Sequence, residues 1–144
     1  MRTLCIDYGD KRFGFALGDP TGTIATAYEV YKRKGGAADI ERIKQIAAEK
    51  EVDTVVLGLP VNMDGAEGPR AELARQFGET IKTALPDIKL VYFDERLSTV
   101  TAEEILIEAG VRRDERRNLV DKVAAQIILQ GYLDKNKALN KDKR

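Results

Sequence analysis

Three strand-like runs joined by links too short to hold a helix fill the first 31 residues, and only then does a helical period appear. In residues 2–7, Leu4 and Ile6 fall on one face while Thr3, Cys5 and Asp7 fall on the other, the two-residue alternation of a strand. Residues 12–18 and 23–31 read as two more strands, with Gly9 and the DPTGT segment at 19–23 supplying the turns. Three consecutive strands with short links make an antiparallel meander. That opening argues against a receiver-type domain, whose strands and helices alternate from the start.

The period then changes. Ile40, Ile43, Ile46 and Ala47 recur at helical spacing within residues 37–50. DTVVLGLP at 53–60 is a continuous apolar run, as expected of a strand covered on both faces. A loop rich in Gly, Asn and Asp leads to a helix predicted over 69–84, and IKLVYFDE at 88–95 reads as a fifth strand. Helices at about 99–109 and 115–134 complete the order βββ-α-β-α-β-α-α. This order predicts an α/β fold with a five-stranded mixed sheet: strands 1–3 antiparallel, later strands parallel, and helices on both faces. The expected organisation is one domain over 1–134 and a polar, frayed tail over 135–144.

Composition narrows the chemistry. The chain has no histidine, which excludes Ser-His, Cys-His and His-ligated zinc sites built from its own residues. Cys5 is the lone cysteine, so no intramolecular disulfide can form. Basic and acidic residues number 24 each, which argues against a strongly cationic nucleic-acid binder while leaving room for a local basic patch. No apolar stretch reaches membrane-spanning length and the N-terminus enters a strand at once, so the expected location is the cytoplasm.

Several acids stand at the ends of rigid elements. Asp7 ends the first strand, Asp94 and Glu95 end the fifth, and Asp121 lies in the last helix on the margin of a stripe formed by Val120, Val123, Ala124, Ile127 and Ile128. Each has an ordinary reading: a turn acid before Gly9, charge near a helix start, or a solvated helix face. Converging carboxylates would instead repel one another unless a cation sat between them. Mg²⁺ (or Mn²⁺) suits such a set, since it takes oxygen ligands and shares its shell with water and substrate phosphate.

Taken together, DYGDKRFGFALGD, GLPVNMDGAEGP, FDERLST and VDKVAAQIILQGYL resemble, in order, the motifs of the YqgF/RuvX family, over roughly residues 2–134. The resemblance implies a ribonuclease H-like fold and a metal-dependent nuclease. It implies Asp7, Glu95 and Asp121 as the catalytic, metal-binding carboxylates, and so selects Glu95 over Asp94. Lys11 and Arg12 would then lie where a phosphate is met. The segment GVRRDERRNLVD carries four arginines suited to a phosphate backbone, with Asp114 and Glu115 among them weakening that field.

Two further cations are candidates for substrate binding. Arg70 lies in the first turn of the helix after the glycine-rich loop, and Arg96 follows Glu95 directly. The implied substrate is precursor 16S ribosomal RNA, cut near its 5′ end, with ribosomal proteins or a pre-ribosomal particle as companions. A four-way DNA junction is the alternative substrate. It would require two active sites and hence a homodimer, whereas the RNA reading permits a monomer. A non-catalytic nucleic-acid module on the same fold is a further alternative; the presence of all three carboxylates argues against it. An ATP-handling relative of the actin-like kinases would need two such domains, and 144 residues supply one.

Overall fold

The computed structural model describes residues 2–62, 64–95 and 107–142, with the side chains of 113–122 and 140–142 outside the description. The strands are β1 (Arg2–Tyr8), β2 (Arg12–Gly18), β3 (Ala25–Lys32), β4 (Val52–Leu59) and β5 (Lys89–Asp94). The helices are α1 (Gly36–Glu49), α2 (Pro69–Ala84) and α3 (Arg113–Asp142). They build one five-stranded sheet in the order β3-β2-β1-β4-β5. Strand β1 is central: it pairs antiparallel with β2 and parallel with β4, and β4 pairs parallel with β5. The expected mixed sheet is therefore present, its chain direction switching between β2 and β4 on either side of β1.

The two faces of the sheet are packed differently. Leu4, Ile6, Phe13, Phe15, Leu17, Val55 and Leu57 face α1 and α2, where Ile43, Ile46, Ala74 and Ile81 complete a core of large side chains. Burying each large apolar side chain stabilises the fold by about 1.5–3 kcal/mol, so this layer supplies most of the hydrophobic drive. The opposite face is lined by small groups. Cys5, Ala16, Ala25 and Val56 meet Ala125, Ile128, Leu129, Tyr132 and Leu133 of α3. Small residues on both sides let α3 lie close to the sheet. A methyl group on Gly18 would sit 3.5 Å from the Leu133 side chain, and one on Gly131 would sit 3.5 Å from the Phe93 ring.

Several features differ from the sequence pattern. Strand β3 begins at Ala25 rather than 23, because Oδ1 of Asp19 accepts hydrogen bonds from the Thr23 and Ile24 N–H groups at 2.7 and 2.9 Å. The buried stripe of α3 runs through Ala124, Ala125, Ile128, Leu129, Tyr132 and Leu133, rotated from the expected one, with Val123 and Ile127 half-buried. The same helix continues through Asp142, past the predicted end at 134, because KNKALNKD contains no glycine or proline to stop it. The helix expected over 99–109 lies outside the described residues apart from 107–109, of which 107 and 108 are helical. Among the described residues no helix is long and apolar enough to cross a membrane.

Candidate active site

Strand alternation places Asp7 on the same face as Cys5, the face covered by α3. On β5 the residues of that face are Val91 and Phe93, and the period carries on to Glu95. Glu95 remains tied to the sheet edge, its N–H reaching the Leu59 carbonyl at 3.3 Å. Asp94 points the other way and is exposed. The pleat thus sets Glu95, and not Asp94, on the face of Asp7.

Asp7 and Glu95 belong to strands that are not neighbours, since β4 runs between β1 and β5. Gly58 makes their meeting possible. It stands in β4 opposite Phe93, and the register Ile6–Leu57 brings it level with Asp7. A methyl group at Gly58 would lie 2.6 Å from Glu95 Oε2 and 3.1 Å from Ile128 Cδ1. The Glu95 carboxyl therefore occupies the space that any other residue's Cβ would fill, and its Oε2 atom is shielded from solvent.

The electrostatics follow from this arrangement. Burial, then the Asp7 charge, then a hydrogen bond with Asp7 push the Glu95 carboxyl up to about 8, with Arg70 pulling weakly the other way. Such a pair prefers to hold a proton or another cation between its oxygens. Burial, together with Asp7 and Glu95, also pushes the Cys5 thiol well above its ordinary value, so it stays protonated beneath the site.

A cleft of about 410 Å³ opens over the carboxyl pair, bordered by Pro60, Asn62, Gly68, Arg70 and Ala124 among others. It lies at the carboxyl ends of β1, β4 and β5, beside the point where the strand order reverses. Open α/β sheets bind ligands there. Helix α2 begins at the rim: Gly68 precedes it, Pro69 occupies its first turn, and Arg70 lies exposed beside the cleft. Asp64 is a turn former, its Oδ1 accepting the Ala66 N–H at 2.9 Å. A smaller cavity adjoins Asp7 and Gly9 and is lined by Lys11 and Arg12. Tyr8 and Tyr92 are packing residues: Tyr8 packs at a tilt against Phe13 and Phe77, and the Tyr92 hydroxyl reaches the Arg75 carbonyl at 3.2 Å.

Of the expected site residues, the structure brings together Asp7, Glu95 and Arg70, with Lys11 and Arg12 next to them. Arg96 lies outside the described residues. Asp121 is helical in α3, one turn before Ala124 and Ala125, but its side chain lies outside the description, as do those of Arg113, Arg116 and Arg117. Among the described residues no cluster of three or more metal-donor side chains is present. Gly58 was not singled out by the sequence; its signal is a lone glycine in an otherwise apolar strand.

A strand-end carboxyl pair under a covering helix, on a meander followed by parallel strands, defines a protein of the ribonuclease H-like class. Two solved structures share this fold. A T. thermophilus RuvC in complex with a Holliday junction substrate matches at 14% identity with a TM-score of 0.58, covering 96% of each chain. The fowlpox virus Holliday junction resolvase matches at 14% identity with a TM-score of 0.57, covering 94% of this chain and 99% of its own. The chain belongs to the RuvX family, described as Holliday junction resolvase, which matches residues 1–135. Two relatives named "Putative pre-16S rRNA nuclease" are similar along nearly their whole length. The protein of Halothermothrix orenii is 48% identical over 134 residues, covering 93% of this chain and 95% of its own. That of Myxococcus xanthus is 46% identical over 142 residues, covering 99% and 93%.

Proposed function

We propose that this protein is a divalent-cation-dependent nuclease that matures the 5′ end of precursor 16S ribosomal RNA in the cytoplasm. The observation that carries the reading is the meeting of Asp7 and Glu95 across the bare backbone of Gly58. A sheet that leaves a gap so that two carboxyls can touch is built to hold a cation, and oxygen donors suit Mg²⁺ or Mn²⁺. Asp7, Glu95 and Asp121 would hold it; the helical position of Asp121, one turn from Ala124 at the cleft, supports its place as the third donor. When bound, the cation supplies Lewis acidity for attack of water on phosphorus and neutralises charge on the departing oxygen.

The remaining tasks fall to the chain itself. Arg70 and the start of α2 meet one phosphate of the substrate at the cleft rim, and Lys11, Arg12 and Arg96 meet its neighbours. The carboxyls and the substrate phosphate are the groups available to accept the attacking water's proton, since the chain contains no histidine. Ribosomal proteins or a pre-ribosomal particle present the RNA end, and a monomer suffices for a single cut. The family description favours a second reading, a four-way DNA junction cut by a homodimer.

Cleavage of a 5′-extended 16S RNA fragment and of a four-way DNA junction, with Mg²⁺ or Mn²⁺ and with EDTA, separates these readings. Wild type should cut the RNA, and Asp7→Asn or EDTA should lower the rate on the order of 10³-fold. Preferential junction cleavage, with the same loss in Asp7→Asn, would transfer the assignment to DNA. Binding to either substrate with identical wild-type and variant rates would leave a non-catalytic module.

A further inference from the structure

Three successive carbonyls of the turn that follows Asp7 are gripped by one residue, Arg33. Its Nη1 donates to the Gly9 carbonyl at 3.1 Å and to that of Asp10 at 3.5 Å, and its backbone N–H donates to the Lys11 carbonyl at 2.9 Å. The turn is tight: a methyl group on Gly9 would fall 2.4 Å from the Arg12 carbonyl oxygen. The other edge of the guanidinium is anchored on α1, where Nε donates to Asp39 Oδ2 at 3.0 Å. Asp39 is wholly buried and itself fixed by the Tyr31 hydroxyl and by the Lys34 and Gly35 N–H groups. The guanidinium also lies over the rings of Tyr8, Phe13 and Phe77 at 5.0, 4.7 and 5.9 Å, each attractive to a cation.

An arginine serving stability alone has no need of the backbone beside Asp7. Arg42 illustrates this: its Nη2 and Nε bind the two oxygens of Glu29 at 2.6 and 3.1 Å and its Nη1 donates to Gln45 Oε1 at 3.2 Å, all of them side chains away from the turn. Arg33 spends its second edge on the carbonyls two and three residues past Asp7, and its stacking partner Tyr8 is the residue next to Asp7. We propose that Arg33 is a positioning residue for Asp7, strapping the Gly9–Lys11 turn to α1 so that the Asp7 carboxylate faces Glu95. The proposal rests on the reading of Asp7 as a cation ligand. Groups that orient a ligand from behind typically alter cation affinity or activity about 10–100-fold when removed. A lysine cannot replace the fork, because one ammonium cannot reach Asp39 and the turn carbonyls together.

Mn²⁺ binding by titration calorimetry without substrate, cleavage kinetics and thermal melts would be compared across Arg33→Met, Arg33→Lys, Arg42→Met and Asp7→Asn. Arg33→Met keeps the apolar stem among the rings, and Arg33→Lys keeps a charge at Asp39, so at least one should fold. Either should weaken Mn²⁺ binding about tenfold or more and lower kcat with little change in KM. Arg42→Met should lower the melting temperature but leave Mn²⁺ affinity within about twofold of wild type. Wild-type Mn²⁺ affinity in both Arg33 variants overturns the proposal. So does an equal loss of affinity in Arg42→Met, which would make Arg33 a stabilising residue only. If Asp7→Asn binds Mn²⁺ as wild type does, the cation reading of Asp7 falls and this proposal with it. If Asp7→Asn loses binding while both Arg33 variants retain it, only the role of Arg33 falls.

Discussion

Asp39 and Glu95 are both carboxylates withdrawn from water, and the fold treats them in opposite ways. Around Asp39 it gathers donors: Arg33, the Tyr31 hydroxyl and two backbone N–H groups. Burial pushes the Asp39 carboxyl up, but these hydrogen bonds outweigh it and hold the pKa below the ordinary value. Next to Glu95 the fold sets a second carboxylate, Asp7, and removes a side chain at Gly58 to let them meet. Burial and Asp7 together then push Glu95 up to about 8. The ionising group is alike in the two acids; their partners differ. The first arrangement stabilises the native state by itself, whereas the second becomes favourable only when a positive species joins it.

Removing each acid should therefore change stability with opposite sign. The largest effect belongs to Asp39→Ala. It leaves the half-buried Arg33 without its counterion and strips an acceptor from Tyr31, Lys34 and Gly35. Loss of about 3–5 kcal/mol is expected in urea unfolding at pH 7. In the wild type this contribution is full above the ordinary aspartate pKa near 3.8 and lost as pH falls through the lowered native value. A loss below about 1 kcal/mol would mean that Asp39 is no better satisfied than a surface acid.

Glu95→Gln should do the reverse. Between 4.5 and about 8 the folded protein holds a proton on Glu95 that the unfolded chain has released, so wild-type stability declines across that window in EDTA. Glutamine removes the charge and keeps the shape. The variant should exceed wild type by about 1–3 kcal/mol at pH 9, with the gap closing toward pH 5, while cleavage activity is lost. Unfolding curves at both pH values check this. A variant less stable than wild type at pH 9 would remove the contrast with Asp39.

These contrasts bear on how far the chain could be read without coordinates. Alternation and turn chemistry were sufficient for the meander, and Pro69 marked the first turn of α2, which spans 69–84 as expected. Asp7 and the Asp94–Glu95 pair stand out as candidates because each closes an apolar run, a position where an acid is out of pattern. The choice between Asp94 and Glu95 came from motif resemblance; the pleat supplies the physical reason only once β5 is paired with β4. Asp39 left no such mark, because an acid in the first turn of a helix already suits the helix dipole. Arg33 likewise reads as part of a charged loop until the rings of Tyr8, Phe13 and Phe77 close around it. Local periodicity cannot reveal such groups, because their partners come from several elements.

Gly58→Ala should have the smallest effect on stability and is the most direct test of how the carboxyl pair is built. Within a strand, alanine is favoured over glycine by roughly 0.5–1 kcal/mol through the unfolded state. Crowding opposes this, since the new methyl would lie 2.6 Å from Glu95 Oε2 and 3.1 Å from Ile128 Cδ1. The Glu95 side chain can turn away more readily than the strand or α3 can move, so unfolding free energy should change by less than about 1 kcal/mol. Turning away separates Glu95 from Asp7, however, and initial cleavage rates should fall about 10–100-fold. Stability near wild type with activity lost would place the effect in the carboxyl pair rather than in the core. Full activity in Gly58→Ala would mean that Glu95 reaches Asp7 without the gap in β4, and the glycine would then be there for α3 to pack on.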